Sequence, residues 1–306
     1  MSAQPILLVG SVALDEIVTP FGEVRDAFGG SASYFALAAR RFAPVRLVAV
    51  VGTDFPEDDL QLLRDEGVDT RGLEVVDGRC FRWGGRYGDD LNSRETLYTH
   101  LNVFEHFHPK VPQAYRDSPY VFLGNIHPSL QAEVLEQVRS PRLVALDTMN
   151  LWIETARTEL LRVLRDVHLL VLNDQEARQL AGESNLVRAG RRLLDLGPRT
   201  IVVKKGEHGA ALFSTGGEFA LPALHLADVR DPTGAGDSFA GGLLGYLAAS
   251  GETSGPALRR AIAYGSVLAS FTVQDFGIAR LRNVRPEEIA ARFEELRLLT
   301  HLDAER

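Results

Sequence analysis

Asp231-Pro232-Thr233-Gly234-Ala235-Gly236-Asp237-Ser238-Phe239 runs directly into Ala240-Gly241-Gly242-Leu243-Leu244, so a loop of small residues feeds an apolar helix. Gly234, Ala235 and Gly236 let backbone N–H groups approach an anion without side-chain obstruction. The start of the helix adds partial positive charge at the same place. Together they make a site for a phosphoryl group in transfer, where charge builds on its oxygens. Asp237 falls in the first turn, and a carboxylate there can accept the proton of an attacking hydroxyl. A plainer reading of the same residues is a capping acid beside a tight turn.

Upstream of this stretch the chain has a regular rhythm. Short β-branched or Leu-rich runs at 6–9, 46–51, 120–123, 142–146, 169–172 and 200–203 each end in turn or polar residues. Helical spacing falls between them at 33–42, 56–66, 130–139, 157–165 and 174–180, and the C-terminal part is helical at 236–249, 256–272 and 286–299. Continuous apolar strands alternating with amphipathic helices predict an α/β domain, a doubly wound, mostly parallel sheet with helices on both faces. One segment breaks the rhythm. Residues 80–107 read as a hairpin with a polar turn at 88–93 and no following helix. Two antiparallel strands cannot continue a right-handed strand–helix–strand series. This segment, with part of 12–28 a candidate to join it, is therefore expected to form a small β lid on a single domain spanning 1–306. An isolated hairpin needs cover for its apolar face, here Phe81, Trp83, Leu97 and Phe104. A homodimer through the lids is the expectation, with a monomer closed over substrate as the alternative.

The string D-P-T-G-A-G-D-S-F resembles the C-terminal signature of the ribokinase/PfkB family of sugar and nucleoside kinases. The resemblance extends over roughly residues 5 to 297. It implies a ribokinase-like fold and ATP-dependent phosphoryl transfer, with Asp237 as general base and residues 234–237 (Gly234, Ala235, Gly236 and Asp237) as anion hole. Gly29-Gly30, opening a helix, resembles the family's N-terminal di-glycine, which contacts the phosphate acceptor. Residues 10–15 resemble the family's first strand, whose terminal Asp, here Asp15, binds substrate hydroxyls. Asn173-Asp174-Gln175-Glu176 matches N-x-x-E, so that Glu176 and Asn173 organise magnesium and phosphates, commonly through water; read by itself it is a helix cap with an acidic first turn. Lys205-Gly206-Glu207-His208-Gly209 resembles the nucleotide-side turn, placing Lys205, Gly206 and Gly209 beside ATP. Asp231 is the implied ligand for a potassium ion, unless it only hydrogen-bonds its own turn. Tyr34 stands where many sugar kinases of the family carry an Asn, so a standard ribose pocket is not expected. Arg82 and Asn102 are the lid's candidates for acceptor contacts. The acceptor class is a small sugar or polyol, with a nucleoside as alternative; a non-catalytic nucleotide- or sugar-binding regulator is the reading from another class, and it has no need of the base.

Composition sets the outer bounds. The chain of 306 residues is 45% hydrophobic, with a net charge of -8. An acidic chain is a poor nucleic-acid binder, because phosphate backbones demand clustered Lys and Arg. The single Cys80 permits no internal disulfide and suits a reducing compartment. The apolar run at 6–9 is too short to cross a membrane or serve as a signal segment. No nucleic-acid or membrane partner and a cytoplasmic location are expected. Neither G-x-G-x-x-G nor G-x-x-x-x-G-K-[ST] occurs, which argues against Rossmann dehydrogenases and P-loop enzymes. His106 and His108 form H-x-H, without a carboxylate or Cys cluster to complete a zinc site.

Overall fold

The computed structural model describes residues 3–301. In chain order the strands are β1 (Ile6–Val9), β2 (Ala13–Thr19), β3 (Gly22–Gly29), β4 (Val45–Gly52), β5 (Asp69–Val76), β6 (Phe81–Tyr87), β7 (Arg94–His100), β8 (Tyr120–Leu123), β9 (Leu143–Asp147), β10 (Leu169–Asn173), β11 (Thr200–Lys204), β12 (Ala210–Ser214) and β13 (Gly217–Leu221). Nine of them form one sheet in the order β13-β12-β11-β10-β9-β8-β1-β4-β5. From β11 to β5 all pairings are parallel, and β12 and β13 add an antiparallel edge. Strands β1, β8 and β9 are buried along their whole length. Their Ile, Leu, Val and Phe side chains meet apolar helices on both faces, which is why they read as continuous rather than alternating runs. All six strands expected from the sequence are present.

Helix Ser31–Ala39 is buried at every position. It packs against helix Ala235–Ser250 through glycines. A Cβ on Gly241 would lie 2.5 Å from the Phe35 carbonyl oxygen, and one on Gly245 would lie 2.9 Å from that of Ala39. The two helices therefore touch backbone to backbone, and this contact holds the loop at 231–236 beside the Gly29–Gly30 turn.

Four strands stand apart from the main sheet, in the order β3-β2-β6-β7. Here β2 pairs antiparallel with β3 and parallel with β6, and β6 pairs antiparallel with β7. The sequence reading found β6, β7 and the turn between them, and 12–28 supplies the other two strands. It placed the end of the segment too late. Residues Asn102–His106 form a 3-10 helix, and Phe104 and Phe107 join the main core with Val48 and Val50. Phe104 thus belongs to the main core and meets the hairpin from there, its ring 5.6 Å from that of Phe81 on β6. Strands β5, β12 and β13 and helices Asn150–Thr155 and Leu186–Leu194 were not expected.

Candidate active site

Three neighbouring strands end on polar residues. Asp147 closes β9, Asn173 closes β10 and Lys204 closes β11. Asn173 pairs in register with Lys204, and Asp147 pairs with Val171, two residues short of them along the strand direction. Open α/β sheets bind ligands at the carboxyl ends of their strands, and this row lies there. The Lys204 ammonium donates to Asp147 Oδ2 at 3.1 Å. Asn173 and Glu176 form a reciprocal cap: the Glu176 N–H donates to Asn173 Oδ1 at 2.8 Å, and the Asn173 N–H donates to Glu176 Oε2 at 2.7 Å. The cap reading of N-x-x-E is therefore correct as local structure. It also fixes the Glu176 carboxylate in a buried position, where burial pushes it up to about 7 against the pull of Lys204.

Helix Ala235–Ser250 starts at Gly234, which has φ 74° and makes no side-chain cap. Glycine takes this left-handed conformation without a Cβ penalty. The N–H of Ala235 turns back to the Pro232 carbonyl, while those of Gly236 and Asp237 have no acceptor within the helix. Gly236 lies against the strand ends, where a Cβ on it would meet Lys204 Nζ. Asp237 lies deep in this cleft with part of its surface open. Burial pushes its carboxyl up to about 8; Asp147 adds to the rise and Lys204 opposes it. A carboxylate with that affinity for protons suits a general base.

On the other side of the loop, Asp15 is buried and accepts the Gly30 N–H at 3.3 Å. It belongs to β2 of the smaller sheet and not to the end of the first strand, as the sequence had suggested. Burial raises its carboxyl to about 7. Gly30 has φ 90° and Gly29 leaves no room for a side chain, since a Cβ there would stand 1.9 Å from Asp15 Oδ2. Trp83 pairs in register with Asp15 across β2 and β6. Tyr34 is 1% exposed. Its ring lies under Gly234, where a Cβ would come within 2.3 Å of it, and its buried hydroxyl has no hydrogen-bond partner among the described residues. Tyr34 thus lies behind the loop at Gly234 and has no open face.

A family model described as the pfkB family carbohydrate kinase matches residues 6–282. The chain belongs to this family. A cytidine kinase of Thermococcus kodakarensis is 30% identical over 250 residues, covering 79% of this chain and 88% of that one. Among solved structures, a nucleoside kinase of Methanocaldococcus jannaschii superposes with a TM-score of 0.77 at 19% identity, covering 96% of this chain and 100% of that one. The ribokinase of Arabidopsis thaliana, complexed with ribose and ATP, gives 0.77 at 20% identity, covering 95% and 99%. The fold is that of ribokinase, and the chain is an ATP-dependent small-molecule kinase.

The remaining predicted residues of this pfkB-family kinase are distributed as follows. Asp231 is fully buried, and its two carboxylate oxygens accept the Thr233 N–H at 2.8 Å and the Gly277 N–H at 3.0 Å. Lys205, Gly206 and Gly209 lie in the turn after β11; the Lys205 N–H donates to the Gly209 carbonyl. The tip of the smaller sheet reaches this turn, with Asn92 Nδ2 donating to Glu207 Oε1 at 3.2 Å. Two residues are not brought to the cluster. Arg82 pairs with Asp26 and Asp54, on the face of the sheet opposite to Asp15 and Trp83. Asn102 donates to the Cys80 carbonyl at 2.7 Å. Sequence reasoning missed Asp147, Lys204 and Arg94. Arg94 stands 5.5 Å from the Trp83 ring centroid, and its charge acts on Tyr87 and Glu176. Lys204 had a signal: it is the polar end of a buried strand, one residue before the Lys that was chosen. Among the described residues no helix is long and apolar enough to cross a membrane.

Proposed function

We propose that this kinase transfers the γ-phosphoryl group of ATP to a hydroxyl of a sugar or nucleoside, with Asp237 as the base. The observation that carries this is Asp237 in the first turn of an uncapped helix, its carboxyl held up to about 8 by burial. The acceptor O–H gives its proton to Asp237 as the new O–P bond forms. The bond from the γ-phosphorus to the bridging oxygen breaks, and ADP leaves. The N–H groups of Gly236 and Asp237 bind the phosphoryl oxygens as charge develops. Asp15 orients the acceptor by accepting from its hydroxyls. Lys205, Gly206 and Gly209 line the nucleotide side.

Magnesium fits the site. Asp147, Glu176 and Asp237 are three carboxylates around the ammonium of Lys204, an excess of negative charge that a divalent cation on the phosphates balances. Glu176 and Asn173 would hold it through water, and when bound it supplies neutralisation of phosphate charge. Asp231 remains the candidate ligand for potassium, each of its oxygens having accepted only one N–H and keeping lone-pair capacity. Equal rates in potassium and in tetramethylammonium would remove that role.

The relatives favour a nucleoside over a free sugar as acceptor, since those similar in sequence include a cytidine kinase and nucleoside kinases. Trp83, in register with Asp15, is the aromatic surface on which a base would stack. The smaller sheet acts as the lid over this acceptor site, and pairing of two such sheets in a homodimer is part of the same reading, tested by light scattering. ATP as co-substrate suits the cytoplasm. The deciding experiment is turnover of ATP against a panel of nucleosides, sugars and polyols with the native chain and Asp237→Asn. Loss of the base should lower kcat by roughly 10²–10⁴-fold with ATP affinity little changed. An Asn variant that keeps more than half the activity would refute the mechanism.

A further inference from the structure

A single hydrogen bond accounts for the Lys204 side chain among the described residues, the one to Asp147. An ammonium has three donors, so two remain. The side chain is well buried, with 16% of its surface exposed, and an uncompensated donor in such a place is costly. The ammonium lies beside Gly236. A Cβ built on Gly236 would lie 2.8 Å from Lys204 Nζ. Lys204 therefore stands directly against the backbone of the anion loop.

This contact also accounts for glycine at position 236. Gly236 lies in the first turn of helix Ala235–Ser250 and is not among the positive-φ glycines. Its conformation is open to any residue, and Ala would be favoured by about 1 kcal/mol in a helix. What Ala cannot share is the space the ammonium occupies. The clash is with the far end of a flexible side chain, so the fold can absorb it by moving Lys204. The change falls on where the charge sits and hardly on whether the chain folds.

We propose that Lys204 is a phosphate-binding residue of this kinase, placing its ammonium against the phosphoryl group held at Gly236, and that Asp147 is the residue that positions it. The proposal rests on the kinase mechanism above and extends it to a cation that the anion-loop motif does not contain. A charge-assisted contact from a fixed ammonium strengthens most where phosphoryl charge is greatest. Lys204 thus does with a side chain what the loop does with backbone dipoles. Asp147 holds the ammonium at the strand ends when no nucleotide is bound.

The test is calorimetric binding of adenylyl imidodiphosphate and of ADP, both with magnesium, to the native chain and its variants. ADP lacks the transferred group, so the ratio of the two affinities reports contacts to that group and leaves out general damage. Lys204→Met should lower the ratio by roughly 10- to 100-fold, the worth of a hydrogen bond to a charged group. Lys204→Arg should restore most of it. Gly236→Ala should lower the ratio while its thermal midpoint stays near that of the native chain, and it serves should Lys204→Met fold poorly. Asp147→Asn should lower the ratio in the native background and add nothing on top of Lys204→Met. Equal loss of affinity for both nucleotides, or an unchanged ratio in Lys204→Met and Gly236→Ala, would overturn the assignment of Lys204. Additive losses from Asp147 and Lys204 would overturn the positioning role. These ratios can be read whether or not turnover is seen, so failure of the kinase mechanism shows separately, as absence of turnover by the native chain.

Discussion

Thr233 Oγ1 donates to Tyr87 Oη at 3.1 Å across 146 positions of sequence. Thr233 belongs to the loop that leads into helix Ala235–Ser250, and Tyr87 ends strand β6 of the smaller sheet, so this hydrogen bond joins the two. Both residues are buried. Tyr87→Phe removes the acceptor of this bond and leaves the Thr233 hydroxyl to Asp231, which should cost about 1 kcal/mol of stability. Thr233→Val breaks the same bond from the other side, so the double variant should lose less than the two single variants together. Thermal unfolding of the four proteins gives the coupling directly; additive effects would show that the bond does not hold the sheet to the loop.

Gly29→Ala tests the acceptor side with one methyl group. No positive φ is needed at Gly29, so the backbone accepts Ala; the obstacle is Asp15 Oδ2 at 1.9 Å from the new Cβ. Asp15 must swing away, and its hydrogen bond from Gly30 goes with it. The acceptor KM should rise roughly tenfold or more, the scale of a charged hydrogen bond to a hydroxyl. Binding of an ATP analogue should be unaffected. A variant with normal KM would take Asp15 out of acceptor binding.

Glu176→Gln separates the two uses of one side chain. Its carboxylate caps the helix by accepting the Asn173 N–H at 2.7 Å, and Gln does this equally well at the third helical position. The charge is lost and the cap is kept. The thermal midpoint should be near that of the native chain or slightly higher, since burial disfavours the charged form. The magnesium concentration for half-maximal rate should rise several-fold. Glu176→Ala, which loses both, should also be less stable by about 1 kcal/mol. Normal magnesium dependence in Glu176→Gln would leave only the cap.

What could be read from the sequence follows from what each residue's signal depends on. The six inner strands announce themselves because burial on both faces demands unbroken apolar runs. Strand β5 hides its pattern behind Asp69, Arg71 and Glu74 at the sheet's edge, where water tolerates charge. Strands β12 and β13 are five residues each around a Gly-rich turn, too short for periodicity to show. At the site, Asp237, Gly234 and Gly236 were legible because their chemistry lies within one local stretch. Asp147 and Lys204 were not, because their meaning comes from the order β11-β10-β9, which brings residues 57 positions apart into contact. Tyr34, singled out because it stands where many sugar kinases carry an Asn, lies beneath the loop at Gly234 because its helix packs closely against Ala235–Ser250.

The buried carboxyls of the site should make the protein sensitive to pH. Burial raises Asp237 to about 8, and Asp15 and Glu176 to about 7, from ordinary values of 3.8 to 4.5. A carboxyl with a folded-state value above its unfolded one binds its proton more tightly when folded. Its contribution to stability is complete below about pH 4 and is lost as pH rises through the folded value. The nucleotide-free protein should therefore lose stability steadily between about pH 4 and pH 8, and level off above. Asp237→Asn carries no such penalty. It should unfold at a higher temperature than the native chain at pH 8, by roughly 2 °C for each kcal/mol relieved, and at nearly the same temperature at pH 4. Activity has the opposite sign under the proposed mechanism, in which Asp237 accepts a proton and must be ionised: kcat/KM of the native chain should climb with pH towards a plateau above about 8. Calorimetric scans of both proteins at pH 4, 6 and 8 test the stability half. An Asp237→Asn variant less stable than the native chain at pH 8 would mean that this carboxylate holds the fold together, and the raised value would then need another cause.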